Sequence, residues 1–259
     1  MRFRDAVLTL KALRKQIGFR RYFSFARTYL EFLSEYRRFQ RMDSEALLPA
    51  TERDLYAILD EKTATMGYEP HYTYHCAWAC RELAQAKPSL HVDISSSMAF
   101  VTMASAWVPV VHYDFRIPEI VLSGLTVGQA DLCALDMKSN SLESVSCLHV
   151  LEHVGLGRYG DPLNPRGDRC AAEELARVLA PGGLLLVVVP VGRSRVNFNA
   201  HRVYALPQVL GMFPGLILKS FSLIPDDSKA GMIQNPPEDL VASQEWGCGC
   251  FVFRKPGAH

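Results

Sequence analysis

A chain of 259 residues with 49% hydrophobic side chains and a formal charge of +1 has the composition of a globular protein, one large domain or a core with an appendage. No apolar run reaches the roughly eighteen residues of a membrane-spanning helix, and the basic N-terminus lacks the compact apolar segment of a secretory signal. Seven cysteines, an odd number scattered over a long chain, do not suit a disulfide framework and point to a reducing cytoplasm.

Charge is placed unevenly. Residues 1–42 carry eleven Lys and Arg against three acids, a balance of +8 that leaves −7 for the rest. Their aromatic and aliphatic side chains recur at spacings of three and four, which predicts two helices broken near Gly18. Residues 1–50 therefore form a basic amphipathic arm and linker, and residues 51–259 the main domain. The arm's aromatic face is expected to pack on the body or in a homodimer. A peripheral contact with an anionic membrane is a second reading, and nucleic acid is disfavoured because no recognised binding module accompanies the charge.

After the linker, Thr51 is placed to cap a helix over 51–60, and a second helix is expected over 72–86, stopped by Pro88. From there strands alternate with helices. Strands are predicted at 90–94, 108–113, 125–130 and 145–150, with a helix over 97–107. Asp168 is expected to cap a helix that ends at Ala180, where Pro181, Gly182 and Gly183 form the stop. The aliphatic run 184–189 reads as a central parallel strand buried on both faces. A helix at 206–212 and two late strands at 216–223 and 249–254 complete the pattern of a doubly wound α/β domain.

The most informative segment is 145–162, Val-Ser-Cys-Leu-His-Val-Leu-Glu-His-Val followed by Gly-Leu-Gly-Arg-Tyr-Gly-Asp-Pro. An apolar strand ends in Glu152 and His153 and runs into a glycine-rich loop, the pattern at the carboxyl edge of an open α/β sheet where ligands bind. His71, His75, Cys76, Cys80, Cys248 and Cys250 carry potential metal donors. No C-x-x-C pair joins a second at zinc-finger spacing, so the cysteines read as small buried hydrophobes and no metal is expected.

Residues 88–254 resemble the class I S-adenosylmethionine-dependent methyltransferases. The resemblance rests on Asp131-Leu-Cys-Ala-Leu135, on Val150-Leu-Glu-His-Val154, and on Glu174-Leu-Ala-Arg-Val-Leu-Ala-Pro-Gly-Gly183 with the strand after it. The 147–162 stretch is closer still to a bacterial subgroup of methyltransferase-like proteins, a domain of unknown function met near polysaccharide-biosynthesis genes. The resemblance implies a Rossmann-like sheet of seven strands, the last antiparallel, behind the helical arm. It also implies S-adenosylmethionine as cofactor and methyl transfer to a small polar acceptor such as a sugar or polysaccharide precursor.

Carried over residue by residue, Asp93 stands at the family's first-strand acid, and Ser95 and Ser97 replace the first two glycines of the turn after it. Glycine there lets backbone approach the ligand, and serine substitutes only in part. Asp114 stands where the family holds the ribose hydroxyls, Asp131 where it reads the adenine amino group, and Leu132 flanks the ring. Glu152 and His153 are the catalytic candidates, with His153 as a base whose pKa lies near working pH. Arg158, Tyr159 and Asp161 would hold the acceptor, Arg158 suiting a phosphate or carboxylate. The Ser95 and Ser97 departures favour the alternative of a non-catalytic binding or assembly module on the same fold.

Overall fold

A computed structural model describes residues 19–42, 48 and 50–257. The break expected at Gly18 and the helix before it lie outside the described residues. The chain divides into two compact units, Met1–Gly67 and Tyr68–His259.

In the first unit, helix α1 (Phe19–Met42) carries Ala26, Tyr29, Phe32, Leu33 and Tyr36 at three- and four-residue spacing as its half-buried side, and none of its described side chains is fully buried. Tyr36 anchors the following strand of chain by donating from its hydroxyl to the Ala50 carbonyl at 3.2 Å. The helix expected over 51–60 is only a single 3-10 turn, Glu52–Asp54. The Thr51 hydroxyl donates to the Asp54 carboxylate at 2.5 Å instead of accepting from backbone N–H groups, so no cap forms.

The second unit holds the α/β domain. Its elements are α2 (Pro70–Ala86), β1 (His91–Ile94), α3 (Met98–Ala104), β2 (Val110–Asp114), β3 (Leu125–Gln129), β4 (Leu142–Leu148), α4 (Gly167–Val178) and β5 (Leu179–Val191). They continue with β6 (Arg195–Asn197), β7 (His201–Val203), α5 (Leu206–Met212), β8 (Ile217–Ile224), β9 (Ile233–Gln234), α6 (Glu238–Ala242) and β10 (Gly247–Arg254). The main sheet runs β3-β2-β1-β4-β5-β10-β8-β9, and β6 and β7 form a separate ribbon. Strands β1 to β5 pair in parallel, while β10 is antiparallel to both β5 and β8. This is the expected seven-strand Rossmann-like sheet, widened to eight by the two-residue edge strand β9.

Alternate residues of β5 fill two cores. Leu185, Val187 and Val189 face Ala171 and Leu175 of α4 and Val209 and Phe213 from α5 and its end. Leu184, Leu186 and Val188 face Ala79 and Leu83 of α2 and Phe100 of α3. Helices thus cover both faces, which is why this strand reads as one unbroken aliphatic run.

Helix α4 differs from expectation at both ends. Helix α4 ends at Val178, and the Pro-Gly-Gly segment lies inside β5, because Leu179 already pairs with Leu142 of β4. Arg166, not Asp168, occupies the N-cap of α4. Asp168 is buried within the first turn, where its carboxylate accepts from the Tyr204 hydroxyl at 3.1 Å and faces Arg202 at 3.6 Å.

Candidate functional site

The strand order reverses between β1 and β4, and at that switch point the carboxyl ends of β1, β2, β3 and β4 open a cavity. Ser95 follows β1, Asp114, Phe115 and Arg116 close β2, and Ala130, Asp131 and Leu132 follow β3. His149, Val150, His153 and Val154 supply the β4 side, and Tyr159 and Asp161 the loop side.

The two carboxylates are half committed. Asp114 Oδ1 accepts the Arg116 N–H at 2.7 Å, and Asp131 Oδ1 accepts the Cys133 N–H at 2.8 Å. Among the described residues neither Oδ2 receives a bond. Each acid is therefore oriented by its own turn and keeps one oxygen for an occupant.

Ser95 sits at φ 59°, the left-handed region where glycine is at ease and a side chain costs about 1 kcal/mol or more. Its N–H donates to the Tyr113 carbonyl at 2.7 Å, which fixes the turn against β2. Ser97 does not line the cavity. Its side chain accepts from the Phe100 N–H and caps α3.

Asp93 is also elsewhere, fully buried beneath the turn. It accepts from His112 Nδ1 at 2.7 Å, from the Ser96 N–H at 3.1 Å and from the Ser146 hydroxyl. His91 extends this network, with its two ring nitrogens 2.8 and 2.9 Å from the hydroxyls of Ser144 and Ser146. Ser96 in turn accepts the Leu148 N–H at 3.0 Å, tying the turn after β1 to the end of β4. Asp93 thus shapes the site from within the sheet, its oxygens spent on protein donors.

Past β4 the backbone changes direction at once. His149 adopts φ 57°, and a 3-10 turn over Leu151–His153 follows. The turn sets Glu152 three residues after His149, and the two meet at 2.7 Å through His149 Nδ1 and Glu152 Oε1. His153 Nε2 lies 3.9 Å from the same oxygen, so the expected Glu152–His153 pair is the looser one. Glu152 is buried, which pushes its pKa up to about 7, while burial pushes His149 down to about 4. Burial also lowers His153, despite the nearby Glu152 carboxylate. His153 Nδ1 donates to the Ala200 carbonyl at 2.7 Å, which leaves Nε2 with its lone pair, a proton acceptor at the cavity wall.

The loop after the turn is knotted on Asp161. Its carboxylate accepts the N–H groups of Gly155 at 2.7 Å, Gly157 at 3.4 Å and Tyr159 at 3.2 Å. Gly155 at φ +80° is required, since a Cβ there would lie 2.0 Å from the Asn164 carbonyl oxygen. Tyr159 roofs the cavity, with the guanidinium of Arg116 over its ring at 4.6 Å and that of Arg158 at 5.1 Å. Arg158 itself turns away from the cavity and donates to the Ala200 carbonyl at 3.0 Å. Arg116 is the arginine that lines the cavity, and only its place two residues past the strand-ending Asp114 marked it in the sequence.

A second group of residues gathers beside His149. His71 and Tyr72, in the first turn of α2, stand 5.9 and 5.6 Å from the His149 ring, and His75, one turn further on, at 5.1 Å. Trp246 lies 5.1 Å from His71 and stacks on His201 at 5.4 Å. Trp78 is buried in the core, whereas Trp246 is 46% exposed and joins this ring cluster.

The family described as Caenorhabditis protein of unknown function, DUF268, matches residues 96–231. No curated protein sequence matches the chain. Among solved structures, the YcgJ protein from Bacillus subtilis is similar at TM-score 0.51 and 17% identity, over 72% of this chain and 100% of its own. The 1,6-didemethyltoxoflavin-N1-methyltransferase of Burkholderia thailandensis, solved with S-adenosylhomocysteine, is similar at TM-score 0.51 and 12% identity, over 71% of this chain and 80% of its own. These likenesses establish a shared fold.

Proposed function

We propose, for a chain that belongs to the DUF268 family, methyl transfer from S-adenosylmethionine to a small polar acceptor. The observation that carries it is the pair of carboxylates at the ends of adjacent strands β2 and β3, Asp114 and Asp131, each with one uncommitted oxygen facing the same cavity. Asp114 suits the two hydroxyls of a ribose, since an acceptor at a strand tip matches a vicinal diol. Asp131 suits an exocyclic amine, and buried Leu132 offers the apolar face on which an adenine ring would lie. The solved toxoflavin methyltransferase with S-adenosylhomocysteine on the same fold agrees with this choice of nucleoside.

The cofactor supplies an electrophilic methyl group on a sulfonium, and its displacement needs alignment and exclusion of water more than acid–base help. Tyr159 and the Asp161-knotted loop would shield one side of the bound cofactor from water. His153 Nε2 stands ready to take the proton that an acceptor hydroxyl or amine loses as it gains the methyl group. Arg116 at the rim suits a negatively charged acceptor, in keeping with a phosphorylated sugar or polysaccharide precursor of the kind that the bacterial subgroup implies.

The alternative, a binding module without catalysis, draws on two observations. Ser95 holds a strained conformation where glycine is usual, and the cavity encloses about 150 Å³, below the roughly 300–1,000 Å³ of typical ligand pockets. Calorimetric titration with S-adenosylmethionine and S-adenosylhomocysteine separates the two readings. Saturable binding that is weakened by Asp114→Asn supports the enzyme, and no binding of either compound supports the module.

A further inference from the structure

The group of rings beside the cavity holds donors that the protein itself leaves unsatisfied. Among the described residues, His149 Nε2 and His71 Nδ1 are buried without a hydrogen-bond partner in the protein, as are His75 Nδ1 and Glu152 Oε2 beside them. Leaving such an atom dry and unbonded costs on the order of 1–3 kcal/mol, so each needs a reason. Cys248, fully buried at the start of β10, completes the group, and one ligand atom from each of His71, His149 and Cys248 lies within 4.8 Å of the others.

We infer that His71, His149 and Cys248 form a binding site for a divalent transition-metal ion, zinc by the chemistry of the donors. Two imidazoles and a thiolate are the borderline-soft set that zinc takes, and they exclude magnesium and calcium, which want oxygen. Bond lengths of about 2.0–2.3 Å would bring the donors to roughly 3.5 Å apart, closer than the 4.8 Å within which they lie here. The surroundings are those of a metal-ligating histidine. His149 Nδ1 is held by Glu152 at 2.7 Å, which fixes the ring and presents Nε2 as the ligand nitrogen. The Glu69 cap positions His71, because its carboxylate accepts the N–H groups of His71 and Tyr72 at the start of α2. The left-handed backbone of His149 is what turns this ring back over the strand end.

Three protein ligands leave one position for water or a polar ligand. His149 lines the cofactor cavity as well, so the ion would sit at its margin, where an acceptor hydroxyl bound to it loses its proton more readily. Spacing in the sequence hides the site, since its ligands come from α2, the turn after β4 and the start of β10. The expectation of no metal rested on the lack of paired C-x-x-C motifs and on reading the cysteines as small buried hydrophobes.

The test is cobalt titration of the full-length protein, freed of metal by chelator, followed by absorption and by competition with zinc. The expected result is stoichiometric binding with sulfur-to-cobalt charge-transfer absorption, displaced by zinc. Cys248→Ser should abolish that absorption, and His149→Gln and His71→Asn should each weaken binding more than the roughly 10–100-fold loss expected for Glu152→Gln. His75→Gln, beside the site but outside the ligand set, should bind as the wild type does. Absence of charge-transfer absorption in the wild type overturns the site whether or not a variant folds. So does cobalt affinity that is unchanged in a Cys248→Ser protein with native circular dichroism. Neither result bears on S-adenosylhomocysteine binding through Asp114, which is measured separately.

Discussion

His91 provides a sharp test of how the sheet centre responds to acid. It is fully buried, both ring nitrogens are bonded to serine hydroxyls, and burial lowers its pKa from 6.5 to about 4 despite the neighbouring Asp93 carboxylate. In the unfolded chain the ring takes a proton near pH 6.5, whereas in the folded chain it stays neutral down to about pH 4. Between those values the unfolded state binds more protons. The contribution of neutral His91 is therefore complete above about pH 6.5 and is lost as pH falls toward 4. The gap between 6.5 and about 4, at about 1.36 kcal/mol per tenfold change in proton affinity, corresponds to about 3 kcal/mol. His91→Gln keeps a donor and an acceptor near Ser144 and Ser146 but does not titrate. Urea unfolding of both proteins at several pH values from 7 to 4 gives the difference directly, since the other buried histidines are common to both. The wild type should lose about 3 kcal/mol more than the variant over that range. Parallel stability profiles would refute the reasoning.

Four further outcomes are expected. Asp114→Asn should weaken S-adenosylhomocysteine binding by roughly 1.5–3 kcal/mol, about 10- to 150-fold in a calorimetric titration, through loss of charge-assisted bonds to the ribose. Ser95→Gly should tighten that binding, because it removes a Cβ from a turn at φ 59°, and weaker binding would make the serine hydroxyl a ligand contact. Asp161→Ala leaves three loop N–H groups without their acceptor, so hydrogen exchange should quicken over 155–162 while β4 and β5 stay protected. Deleting residues 1–67 should leave cooperative unfolding intact, because among the described residues both hydrophobic cores draw on Tyr74 to Phe253. The same deletion should abolish either self-association that persists in high salt or salt-sensitive flotation with anionic liposomes, which distinguishes apolar packing from electrostatic attachment.

The parts of the fold that local chemistry controls were legible. The aliphatic run of β5 has to be a strand buried on both faces, and α5 begins and ends where its periodicity says, at Leu206 and Met212. What failed depends on pairing between distant segments. Pro181, Gly182 and Gly183 look like a helix stop, yet the bond from the Gly182 N–H to the Lys255 carbonyl and the Leu142–Leu179 pairing carry β5 through them. Thr51 shows the opposite failure, a residue suited to capping whose hydroxyl is satisfied by a side chain instead.

The candidate site divides in the same way, and the division says how it is built. Asp114, Asp131 and Leu132 were named through the family resemblance, and all three line the cavity at the carboxyl ends of β2 and β3. His149 was overlooked because β4 was expected to run through Val150, which makes Glu152 and His153 the natural pair. The strand stops at Leu148, the backbone turns left-handed at His149, and the carboxylate moves to the other histidine. Asp93 has the same lesson in reverse. A family acid that looks ligand-facing is the centre of a buried network joining β1, β2 and β4 through His112 and Ser146. Through Ser96 and the Leu148 N–H that network holds the turn containing Ser95 against the end of β4, where His149 begins. The polar residues in the middle of the sheet therefore set the distance between the two walls of the cavity. On this account Asp93→Asn should disturb the site as a whole, while Asp114→Asn removes one contact from an intact site.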